Sequence, residues 1–178
     1  MARKKVLIRI VNKTEGFIGN LGGLDVENAM ADEESAVDFS EIDGQTAFGG
    51  EDGELPNMLE TEAELEQQDG RISLRFFTEL LNFPARIEYS FDEADRSVLT
   101  VQRKQLMDEV YFFSTKKKRQ TVVYGDGARR LDFSVYTKRL KNHLSYEMGG
   151  FIDVEYYSEV KGGVIEHCRE YIFVEPSV

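Results

Sequence analysis

Met58-Leu59-Glu60-Thr61-Glu62-Ala63-Glu64-Leu65-Glu66 sets glutamates at every second position, with Leu59, Thr61, Ala63 and Leu65 between them. Successive Cβ atoms of a strand point to opposite faces, so this spacing predicts a strand with one carboxylate face and one core face. Glu, Leu and Ala also favour helices. The apolar positions 59, 63 and 65, with Thr61 between, fit the strand period better than the helical one. Asp69-Gly70 follows, a strong hairpin signal. Then Ile72, Leu74 and Phe76 alternate with Ser73 and Arg75.

The same pattern runs outward in both directions. Val6–Val11 reads as a strand, as do Arg86–Phe91, Ser97–Arg103, Glu109–Ser114, Arg119–Tyr124, Arg130–Lys138, Phe151–Val160 and Val164–Val174. Turn residues separate most of them, among them Gly125-Asp126-Gly127, Gly149-Gly150 and Gly162-Gly163. Short strands in hairpin succession predict one all-β domain, a closed or nearly closed antiparallel barrel of about eight to ten strands. A chain of 178 residues is long enough to bury a core without staples. Its single cysteine, Cys168, excludes an internal disulfide and suits a reducing, cytoplasmic setting. The basic start is followed by an apolar run, Val6–Val11, that is short and interrupted by Arg9. Neither a signal peptide nor a membrane span is therefore expected.

Charge is unevenly spread. No Lys or Arg lies between Lys13 and Arg71, while seventeen Asp and Glu fall from Glu15 to Asp69. The net charge is −11, yet the rest of the chain has sixteen acids against twenty-two bases. Residues 15–54 are also rich in glycine and weakly patterned, which predicts an acidic, mobile insertion after the first strand. Such a segment solubilises, covers basic surface within the same chain, or docks a basic partner.

No catalytic set assembles from the sequence. Glu166-His167-Cys168 alternates across a strand, so His167 and Cys168 face opposite ways and cannot act as a nucleophile pair. The acids of Asp38–Glu51 miss the calcium-loop pattern, with Phe39 at the first ligand position and Gly50 at the twelfth. The glycines at 16, 19, 22 and 23 have the wrong spacing for a phosphate loop. No metal and no cofactor is expected. Two binding surfaces remain. Lys116, Lys117, Lys118 and Arg119 sit at a hairpin, and Arg129 and Arg130 begin the next predicted strand, with aromatics nearby. Such clusters contact phosphates of RNA or another polyanion, although an acidic chain steers nucleic acid poorly and strand-edge lysines also guard against pairing. The barrel interior is the other. Neither face of Ile165–Phe173 is cleanly apolar, so either a bulge switches the facing or polar groups enter the lumen. An inward Arg169 or Tyr156 is the candidate anchor for an anionic small ligand.

The C-terminal half carries Gly125-Asp126-Gly127-Ala128-Arg129-Arg130-Leu131, then Tyr136-Thr137-Lys138-Arg139-Leu140, Leu144-Ser145, and Gly149-Gly150-Phe151-Ile152-Asp153-Val154-Glu155-Tyr156. This order of elements resembles the YwiB-like bacterial family of uncharacterised proteins, a domain of unknown function. The resemblance implies a calycin-like, lipocalin-like barrel and carries no catalytic residues. It covers Val6–Val11 and Leu55–Val174, and residues 15–54 make a longer stretch than the family leads one to expect. The expected function is non-enzymatic binding of a small ligand or a protein partner. The alternative is a polyanion binder whose acidic insertion competes for the basic hairpins.

Overall fold

The computed structural model describes residues 1–18, 57–80, 83–105, 108–124, 131–160 and 164–175. The acidic stretch from 19 to 54, the two loops weighed within it, and Arg129 and Arg130 lie outside the described residues. Ten strands follow in order: β1 (Ala2–Ile18), β2 (Asn57–Gln68), β3 (Arg71–Leu80), β4 (Phe83–Asp92), β5 (Val98–Lys104), β6 (Asp108–Ser114), β7 (Arg119–Tyr124), β8 (Leu131–Asn142), β9 (Gly150–Val160) and β10 (Val164–Val174). Each pairs antiparallel with its chain neighbours, and β1 closes the ring against β10.

β1 is much longer than the predicted Val6–Val11 and takes in Glu15–Ile18 from the predicted insertion. Residues 13–18 pair with β10 alone, and the extension toward the N-terminus has its reason in β2. Its glutamate row faces a basic row across the ladder: Arg3 opposite Glu66, Lys5 opposite Glu64, Arg9 opposite Glu60. Arg3 reaches Glu66 at 2.9 Å and Arg9 reaches Glu60 at 2.9 Å. Opposite charges across a ladder stabilise pairing, so β1 extends to the basic N-terminus. β8, described from Leu131, runs on past the predicted Lys138 to Asn142.

The alternate rows pack the interior. Ile8, Leu65, Ile72, Leu74, Leu99 and Ile152 are fully buried, each worth roughly 1.5–3 kcal/mol relative to exposure. The turns at 69–70, 93–97, 115–118 and 143–149 form one rim, here called the floor. There Leu144 plugs the barrel at 0% exposure, and Arg96, over the Phe91 ring, donates to the Leu144 carbonyl at 2.6 Å. Gly150 (φ +126°) passes so close to His143 that a Cβ would collide with its carbonyl oxygen. At the opposite rim β1, β3, β5, β7 and β9 end, and β2, β4, β6, β8 and β10 begin.

The barrel has one loose seam. β6 and β7 share a single ladder pair, Glu109 with Tyr124. Thr137 of β8 compensates: its Oγ1 accepts from the Ser114 amide of β6 at 3.1 Å. The register irregularity of this sheet falls beside it, between Thr137 and Arg139.

Candidate functional site: a polar cluster in the lumen

β10 keeps an unbroken register against β1 and β9, with Ile172 opposite Ile10 and Ile152. Its even row therefore faces inward: Cys168, Glu170, Ile172 and Val174 are all buried. Of the two alternatives the facing does not switch, and a carboxylate enters the lumen. Glu170 is 4% exposed. An isolated charge there is penalised by several kcal/mol, so the site must supply partners. β5 provides one. Its odd row runs Leu99, Val101, Arg103, and Arg103 Nη2 donates to Glu170 Oε1 at 2.5 Å. β4 provides the second, with the Tyr89 hydroxyl donating to Glu170 Oε2 at 2.6 Å.

Two further groups come from β6. Tyr111 donates its hydroxyl to Glu109 at 3.0 Å, and its ring centroid lies 4.9 Å from the Arg103 guanidinium, a cation–π contact. Arg103 Nη1 is 4.0 Å from Glu109 Oε2, beyond hydrogen-bond reach. Tyr156, from β9, packs against Phe113 at 4.7 Å and Tyr111 at 6.3 Å between ring centroids.

Burial pushes the Tyr89 and Tyr156 phenols well above their ordinary range, and the neighbouring Glu170 adds to it. Burial pushes Tyr111 up as well, against the opposing pull of Arg103. For Arg103, burial disfavours the charge, but Glu170 together with the Tyr156, Tyr89 and Tyr111 oxygens outweighs it and holds the guanidinium protonated. The cluster is thus one cation, two carboxylates and three neutral phenols. Phenols raised in this way are poor proton acceptors at neutral pH, and the arrangement is suited to holding a ligand by hydrogen bonds.

Of the two sequence-predicted lumen residues, Tyr156 is in the cluster and Arg169 is not. Arg169 stands in the odd row of β10, on the outer wall. Its Nε and Nη2 meet the two Asp153 oxygens at 3.3 Å each. The inward cation is Arg103 and the inward anion is Glu170. Carrying the Leu99, Val101 parity two residues further was the signal for Arg103.

The outer wall of β8–β10 has its own polar network. Asp153 and Glu155 are buried at 2% and 4% exposure beneath long cationic side chains. Lys138 Nζ and His167 Nε2 each lie 2.9 Å from Glu155 Oε1, and Arg139 lies 3.7 Å from both acids. His167 also stacks on Tyr157 at 4.6 Å, while Cys168 turns inward. A concavity of about 510 Å³ lies on the wall of β2–β4, where Arg75 bridges Glu66 and Glu88.

The basic hairpin stands at the floor rim, between β6 and β7. Lys116 is tied to Asp95 at 3.0 Å, Lys117 and Lys118 are exposed, and Arg119 lies over the Tyr136 ring at 5.1 Å. Among the described residues no group of His, Cys, Asp and Glu is disposed to hold a metal ion, and no helix is long and apolar enough to cross a membrane.

No protein-family model matches the sequence, and no curated protein does. Among solved structures, the crystal structure of the ywiB protein from Bacillus subtilis matches with a TM-score of 0.62 at 13% identity, over 99% of this chain and 94% of that one. At this identity the likeness concerns the fold alone: the ten-stranded barrel is similar to that of the ywiB protein along nearly its whole length.

Proposed function

We propose that this protein is a cytoplasmic, non-enzymatic binding barrel, a divergent relative of the YwiB-like family with calycin-like architecture, and that it holds one small ligand in its lumen. The supporting observation is the placement of Arg103, Glu170 and Tyr156 among core residues. A packed scaffold gains little from a buried ion pair, since well-packed apolar residues are often as stable. A lumen that must orient a polar ligand needs such groups. Small barrels hold one ligand in this way.

Native mass spectrometry of freshly purified protein tests the proposal. The expected result is a non-covalent adduct of small-molecule mass that is reduced in Arg103→Met. A spectrum holding only apo protein from several growth conditions, together with no response to added small molecules, overturns it. The polyanion reading rests on the exposed Lys117 and Lys118. Retention on heparin at low salt that is lost when Lys116, Lys117, Lys118 and Arg119 become Ser would favour it instead.

A further inference from the structure

We infer that the lumen site recognises the neutral, hydrogen-bond-accepting end of its ligand, an amide or ketone carbonyl, and discriminates against carboxylates. This rests on the reading of the lumen as a ligand site. Two sets of donors there lack acceptors. Arg103 Nε is buried without a hydrogen-bond partner among the described residues. Its Nη1 stops 4.0 Å from Glu109, beyond hydrogen-bond reach, while Nη2 donates to Glu170 and the guanidinium also adjoins the Tyr89 oxygen. The Tyr156 hydroxyl, on a residue only 4% exposed, makes no hydrogen bond among the described residues. Buried donors left without acceptors are costly, and an arriving oxygen acceptor relieves them. About a fifth of the Arg103 side chain, 21%, is accessible, while Nε itself is sealed.

Charge decides which acceptor fits. Glu170 and Glu109 flank a single guanidinium, and Tyr89 and Tyr111 already donate their protons to those two carboxylates. A ligand carboxylate would bring a third anion to one cation, where water screens little. A carbonyl accepts the same N–H and O–H protons and adds no charge. An ammonium offers the unengaged donors nothing. The wall beside Arg103 is apolar: Ile87 is its cross-strand neighbour, and Phe76 follows on β3. The ligand is therefore a carbonyl on a compact apolar body.

Octanamide, octanoate and octylammonium share a chain length and differ in head group. Each is titrated into the purified full chain and followed by tyrosine fluorescence, which eight Tyr and no Trp make the intrinsic signal. Octanamide is expected to bind at least tenfold more tightly than the other two. Tyr156→Phe, which removes one oxygen, is expected to weaken octanamide about tenfold and leave octanoate unchanged. Octanoate binding as tightly as octanamide, or more so, overturns the carbonyl assignment and leaves the lumen reading standing. Equal binding of all three, unaffected by Tyr156→Phe, shows a lumen that senses only alkyl chains and also overturns it. No binding of any probe removes the lumen reading and this inference together.

Discussion

Arg103 and Glu170 are the residues on which the lumen turns. Each is tolerable in the interior because of the other, and that makes their energetics strongly non-additive. Arg103→Met strands a carboxylate and is expected to cost about 3 kcal/mol. Arg103→Met with Glu170→Met removes both charges and is expected to recover most of that loss. Urea unfolding of the two single variants and the double variant measures the coupling, and additive losses would mean that the pair is not coupled. Neither residue was legible as a pair. On Ile165–Phe173 both rows carry apolar and polar groups, so counting hydrophobic residues cannot choose the inward face. Only the pairing of Ile172 with Ile10 and Ile152 settles it, and that is long-range information. Arg169 was the natural suspect because its row contains Ile165, Tyr171 and Phe173. The outer wall has ring contacts of its own: Phe151 and Tyr171 stack at 5.5 Å between centroids, and Lys138 lies over the Tyr157 ring at 5.9 Å.

At the scale of elements, β8, β9 and β10 form a wall whose polar surface is partly sealed. Burial alone would raise the Glu155 carboxyl, but hydrogen bonds from His167 and Lys138, with the charge of Lys138, hold it down to about 2. A carboxyl held below its ordinary value stabilises the fold wherever it is ionised. Its contribution is complete above its unfolded-state pKa, near 4.5, and is lost as pH falls toward 2. Discounted for partners that are about a fifth exposed, the loss is on the order of 2 kcal/mol. Urea midpoints measured from pH 6 to pH 2 should therefore fall more steeply for the wild type than for Glu155→Gln. Parallel curves would show that the carboxyl is not specially held. The elements themselves were largely legible, since their alternation and turn residues are local. Their ends were less so. The first strand outruns Val6–Val11 because its basic residues find the glutamate row of β2, and that match is visible only once the two strands are side by side.

The whole molecule divides along the barrel axis. The floor is filled by Leu144 and fully buried aliphatic residues, and the charged groups of the lumen lie further along the strands. Closure follows from a chain-order meander in which every strand meets its neighbour, and the β1–β10 ladder joins the residues farthest apart in sequence. Pairings of that separation are slow to form, so closure of the ring is expected late in folding. Among the described residues the ladders pair the strand edges around the barrel except along the β6–β7 seam, where a single pair forms.

The floor rim has one more property. Glu175 donates its amide to the Leu7 carbonyl at 3.0 Å, so the strand ends Ala2 and Val174 leave from the same rim of the barrel. Ala2 lies five residues before Leu7 on a strand, a separation of about 17 Å that a linker of roughly eight residues spans. The Asp69-Gly70 turn lies at that rim too, with open space around Gly70. The order in which the strands are translated is then separable from the order in which they stand. A circularly permuted chain that begins at Gly70 and ends at Asp69 should melt cooperatively with the same far-UV spectrum. In that chain the last rung to close would join β2 to β3.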